Sequence, residues 1–170
     1  MRIAMFGAEK SPFAAAVKAA AEEARRRGDR RVGTEHLLLG LLAAADPANT
    51  HALGEDVLGV DLATARAALA ELDAAALRAI GLDIDEAPQA RPRKHPAVPA
   101  TALTTSARAA INRAIKTTTR KNRNSEAPGQ LLLALLTHNR PDPVAELLDH
   151  LGVDRTASRA HIESRSKHGH

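Results

Sequence analysis

There is no cysteine, tryptophan or tyrosine in the 170 residues, and phenylalanine occurs only twice. The missing cysteine removes disulfides, thiol catalysis and cysteine-ligated zinc from consideration. Aromatic residues at 1% leave no stacking platform for nucleobases. They also leave little of the Val, Ile, Tyr and Phe stock of a β-sandwich. No run reaches the roughly 18 apolar residues that cross a bilayer, so no membrane contact is expected. Met1 to Lys10 has one Arg and no long apolar stretch, so no secretory signal is read and a cytoplasmic location is the expectation.

What is abundant is alanine and leucine, within a hydrophobic share of 44%. That pairing suits closely packed helices. The formal charge is +4 and the isoelectric point is near 10.0. The positive charge is gathered at Arg25–Arg27 with Arg30 and Arg31, at Arg91, Arg93 and Lys94, and at Arg120, Lys121 and Arg123. Such clusters serve as solvated helix ends or as anion sites.

An internal repeat organises the chain. A step of 94 residues carries Leu37, Leu38, Leu39, Leu41 and Leu42 onto Leu131, Leu132, Leu133, Leu135 and Leu136, and Ala16, Ala20 and Arg26 onto Ala110, Ala114 and Arg120. After one deletion, a step of 93 carries Leu58-Gly59-Val60-Asp61 onto Leu151-Gly152-Val153-Asp154 and Arg66 onto Arg159. The expected fold is all-α, two tandem four-helix repeats packed about a pseudo-two-fold axis, because a unit this small buries little surface alone. Residues 1–82 form copy one, 83–102 a proline-rich linker, 103–163 copy two and 164–170 a tail.

In copy one the pattern predicts a first helix from Pro12 to Arg27, capped by Ser11 and ended by Gly28. Thr34 is expected to cap a second helix that is apolar almost all round and therefore central. A third helix spans Thr50 to Leu58, and Asp61 caps a fourth that reaches Ile80 before Gly81. The first helix of copy two should start near Thr105 or Ser106, with Ala107, Ala110, Ile111, Ala114 and Ile115 facing inward. Pro128 should open its leucine-rich helix, Pro143–Leu151 forms its third, and Asp154 caps its fourth.

Met5-Phe6, Ala20-Ala21-Glu22-Glu23-Ala24-Arg25 and above all Val32-Gly33-Thr34-Glu35-His36-Leu37-Leu38-Leu39-Gly40-Leu41-Leu42 resemble the Clp-N repeat, found in pairs at the front of Clp/Hsp100 unfoldases, ClpC in particular. The resemblance covers Phe6 to Ile162. It implies a chaperone-associated docking module for protein substrates, adaptors and cyclic-peptide antibiotics. In ClpC-like members it also implies recognition of phosphorylated arginine. No Gly-x-x-x-x-Gly-Lys-Ser/Thr phosphate loop is present, so the expectation is a stand-alone form without the ATPase, of the kind found in high-GC actinobacteria, whose partners include a ClpC-type ATPase. Copy two departs from the family: Gly-Thr-Glu-His has become Ala127-Pro128-Gly129-Gln130 and the acid is gone.

The candidate ligand-binding residues are Thr34, Glu35, Arg30, Arg31, Phe6 and Phe13. A helix N-terminus favours anions, and a carboxylate pairs with a guanidinium. Thr34 and Glu35 therefore address both parts of a phosphoarginine, with Arg30 or Arg31 adding charge near the anion. Phe6 and Phe13 are the aromatic candidates for a contact patch. His36 reads as a packing residue bonded to backbone, and the Glu22-Glu23 pair as a solvated face. No His-Glu-x-x-His or Gly-x-Ser-x-Gly motif occurs, so no enzyme activity, cofactor or metal is expected. Nucleic-acid binding stays as an alternative on the basic clusters alone, as does a purely structural partner of a Clp ATPase.

Overall fold

The computed structural model describes residues 13–44, 57–82, 95–118 and 123–168. Among these, seven helices follow in order: α1 (Ala14–Arg27), α2 (Thr34–Ala43), α3 (Leu62–Ala79), α4 (Thr105–Thr117), α5 (Arg123–Leu136), α6 (Pro143–His150) and α7 (Arg155–His168). The architecture is the expected all-α double repeat, α1–α3 in copy one and α4–α7 in copy two. Phe6, Ser11, Pro12, the clusters at Arg91–Lys94 and Arg120–Lys121, and most of the expected third helix of copy one lie outside the described residues; α1 itself begins at Ala14 with Phe13 at the capping position, later than the expected start at Pro12.

The leucine-rich α2 is the hub. It packs on α1 and α3 of its own copy and on α4, α5 and α6 of the other. Leu37, Leu38 and Leu39 are wholly buried, as are Leu131, Leu135, Leu147 and Leu148 from copy two. An apolar circumference leaves α2 no solvent side, so it must be covered all round. Burial of one such leucine contributes about 1.5–3 kcal/mol. Gly40 lets α1 approach α2 very closely, because a Cβ there would collide with backbone atoms of Ala16 and Ala20. Ala107, Ala110 and Ala114 face inward as expected, and Ile111 packs against the core. Ile115, expected on the same stripe, is 48% exposed.

The expected caps of the fourth helices hold. Asp61 accepts from the Thr64 N–H at 2.7 Å, and Asp154 from the Ala157 N–H at 3.0 Å. Asp61 is held below the ordinary carboxylate range by its bonds from Thr64. Gly81, at φ 88°, turns the chain after α3.

Other sequence expectations need correction. Thr34 is the first residue of α2, and Gly33 holds the capping position. Glycine has no side chain to cap with, so the His36 ring serves instead, its Nδ1 accepting the Gly33 N–H at 2.9 Å. Pro128 lies inside α5 instead of opening it; five helical residues precede it. Glu22 is solvated as expected, but Glu23 is 4% exposed. It receives a bidentate pair from Arg66 of α3, which pins α1 to α3. Finally, α7 runs on to His168, so residues 164–168 of the expected tail continue the helix.

The linker ends in a contact the sequence did not announce. Val32 and Leu103 form a single parallel bridge, with Val32 N–H donating to Ala102 O at 2.7 Å and Thr104 N–H to Val32 O at 2.9 Å. This ties the entry of copy two to the α1–α2 loop of copy one. Thr34 Oγ1 donating to Asp142 at 2.5 Å and His150 beside Glu71 at 2.7 Å add further ties between the copies.

Candidate functional site

The α1–α2 loop is short because Gly28, at φ 78°, reverses the chain after α1. Asp29 follows and becomes the centre of a relay. It accepts from Arg27 Nε at 3.0 Å and lies 2.8 Å from His36 Nε2. Arg27 also reaches Asp73 of α3 at 2.7 Å. Burial pushes the Asp29 carboxyl up, but the bonds from Arg27 and His36 outweigh it and hold the group below its ordinary range. Arg27 is likewise desolvated, and its two acids more than offset this and raise it.

The His36 side chain is only 2% exposed. Because Nδ1 accepts from Gly33, the ring proton sits on Nε2 and goes to Asp29. The expectation that His36 bonds to backbone is met, and the Asp29 partner is new.

Glu35 sits on the same turn. Its carboxylate folds back over Gly33, in the space a Cβ would occupy. Oε1 lies 3.3 Å from His36 Nδ1. Since that nitrogen already accepts a proton from Gly33, it offers Glu35 none. Oε2 is buried and has no hydrogen-bond partner, the only such side-chain atom among the described residues. A buried carboxylate oxygen without a donor costs about 1–3 kcal/mol. The arrangement suits a cationic donor.

Thr34 is 1% exposed. Its hydroxyl is given to Asp142, the cap of α6, which also accepts from the Val144 N–H at 3.1 Å. The first turn of α2 therefore already has the Asp142 and Glu35 carboxylates beside it. Arg30 and Arg31 are exposed on the loop, and no ion pair engages them among the described residues. Phe13, expected in an aromatic contact patch, is instead a core residue at 5% exposure. An apolar ring at the start of α1 is covered by the same packing that buries Ala16 and Ala20.

Asp29, Glu35 and His36 are near enough to share a metal ion, with one donor atom from each within 4.8 Å of the others. The hydrogen bonds argue against that use. An imidazole ligating through one nitrogen keeps its proton on the other. Here a metal on Nε2 would place that proton against the Gly33 N–H, and a metal on Nδ1 would displace the same N–H.

The equivalent of Glu35 in copy two is Gly129, and a Cβ there would meet Ile162 Cγ2 at 3.3 Å. Copy two thus has hydrocarbon where copy one has a carboxylate. Sequence reasoning singled out Glu35 through its motif but not its neighbours Asp29 and Gly33, nor Asp142 beside Thr34. The nearest signal was the spacing Gly33-x-x-His36, which reads as the side-chain half of a capping box.

No family model matches the chain, and no curated protein does. Among solved structures, it matches the N-terminal domain of the caseinolytic protease associated chaperone ClpD from Arabidopsis thaliana. The match has a TM-score of 0.62 and covers 92% of each chain at 23% identity. The fold is therefore that of a Clp N-terminal domain.

Proposed function

We propose that this chain is a non-catalytic protein- and peptide-docking module of the Clp type, and that Glu35 is its acceptor for a guanidinium group. The observation that carries this reading is the buried, donorless Oε2 of Glu35 on a fold shared with a Clp chaperone's N-terminal domain. An arginine side chain supplies the missing donors in a planar fork. Phosphoarginine on a marked protein adds a phosphate, for which the unengaged Arg30 and Arg31 are the nearby cations in sequence. Thr34 acts by holding the first turn of α2 against Asp142 rather than by touching the ligand. A ClpC-type ATPase, adaptors and cyclic-peptide antibiotics are the partner classes that the sequence resemblance implies, and the burial of Phe13 counts against the antibiotics.

Calorimetric titration with free phosphoarginine, with arginine as control, tests this. Saturable one-site binding is expected. Glu35→Ala should weaken it about tenfold, the loss of one charge-assisted bond worth ~1.5 kcal/mol. Unchanged affinity in that variant would remove Glu35 from the site.

A second reading is a docking partner of a Clp ATPase that takes no small ligand. It is favoured by Ile80 and Leu82, which stand 73% and 57% exposed where α3 ends. Binding to a purified ClpC-type ATPase that is lost in Ile80→Ser yet indifferent to Glu35→Ala would select it.

A further inference from the structure

We propose that His36 is a proton-operated gate on Glu35, leaving its carboxylate free for a cation when neutral and capturing it when protonated. The inference rests on the reading of Glu35 as a cation acceptor and adds its regulation.

The geometry sets two exclusive arrangements around one atom. In the neutral ring, Nδ1 is a lone pair that accepts the Gly33 N–H at 2.9 Å. The Glu35 Oε1 at 3.3 Å then faces an acceptor and gains nothing from it. A proton taken from solvent must go to Nδ1, because Nε2 already carries one toward Asp29. The new Nδ1–H cannot face the Gly33 N–H, since both are donors. The carboxylate 3.3 Å away is the acceptor within reach, and a small turn of either side chain makes a charge-assisted bond. The Gly33 N–H is released, and Glu35 is no longer open to an external guanidinium.

Charged groups from several elements surround the ring. Asp29 contacts the ring directly from the α1–α2 loop, with Arg27 of α1 and Asp73 of α3 behind it. Asp142 at the start of α6 is bonded to the neighbouring Thr34 and has His138 at 3.4 Å. No charged group of α4 or α5 bonds to the ring among the described residues. Two carboxylates thus face the ring, and no cation contacts it among the described residues. Burial of the ring to 2% keeps water from replacing either partner.

Proton–nitrogen NMR on the intact chain with isotope-labelled histidine, titrated between pH about 8 and about 5.5, reads the gate without any ligand. At the upper end His36 should show the proton on Nε2. On protonation, the Gly33 amide should lose its hydrogen-bonded shift and the Glu35 carboxyl resonance should move with the same midpoint. A proton found on Nδ1 at high pH, or Gly33 and Glu35 signals that ignore the His36 titration, would overturn the proposal. A second arm measures binding of N-acetylarginine amide. Affinity should fall about fivefold across the same range. His36→Gln, which can still accept the Gly33 N–H, should abolish that fall. A fall that persists in His36→Gln counts against the gate. If the probe binds at no pH, the guanidinium reading fails while the NMR arm still decides the gate.

Discussion

The two copies share a scaffold and differ in what fills it. Copy one places charge in its interior: Glu23 under Arg66, His36 between Asp29 and Glu35, and a donorless Glu35 oxygen. Copy two has Thr117, Gln130 and Gly129 at the matching places, and Ile162 lies against Gly129. Its Arg159, the match of Arg66, stands exposed, and no ion pair engages it among the described residues. Copy one also has Gly40 where copy two has Ala134, and a Cβ at Gly40 would collide with the backbone of α1 at Ala16 and Ala20. The duplicated fold thus keeps its hydrophobic frame in both halves, while the buried polar groups differ: Glu23, Thr34 and His36 in copy one, Ser158 in copy two. The proposed cation acceptor, Glu35, belongs to the copy that holds the buried carboxylates.

The largest expected effect sharpens the contrast in packing. Gly40→Ala forces a methyl into the backbone of α1 and should cost about 3 kcal/mol, whereas Ala134→Gly should cost only about 1 kcal/mol through helix propensity and a small void. Chemical denaturation of both variants checks this, and equal losses would break the comparison. Next comes the ion pair. Arg66→Ala strands the buried Glu23 and should cost about 2 kcal/mol, below the ~3–5 kcal/mol of a fully buried pair because the Arg66 side chain is 39% exposed. Arg159→Ala should stay within about 0.5 kcal/mol.

The smallest effect is in acid. The folded-state carboxyl of Asp29 lies below its ordinary value. Its stabilising share is therefore complete above pH about 4, the unfolded value, and is lost as pH falls through the lower folded value. Asp29→Asn should flatten that part of the stability–pH curve, measured by thermal denaturation between pH about 2 and 5. An unaltered curve would show that the relay through Arg27 and His36 adds nothing.

Much of the frame was legible in the sequence. The leucine run announced the buried hub, and Leu-Gly-Val-Asp announced two helix caps, because both signals act within a few residues. Partners far along the chain were not legible. Glu23 reads as a solvent-facing neighbour of Glu22 until α3 brings Arg66 across it. Thr34 reads as a cap until Asp142, 108 residues away, takes its hydroxyl. Pro128 reads as a helix start because the turn before it, beginning at Arg123, carries no apolar periodicity. Glu35 stands out in the sequence through its motif, while the missing donor at its Oε2 is a property of three-dimensional neighbours.

The Val32–Leu103 bridge and the Thr34–Asp142 bond also fix the status of the duplication. A symmetric pair would need a hydroxyl at residue 128 to mirror Thr34, and proline has none. Copy one cannot stand in for copy two at their common seam. The halves have become lock and key, and two separately made fragments, divided between residues 83 and 94, should assemble with each other in preference to assembling with themselves.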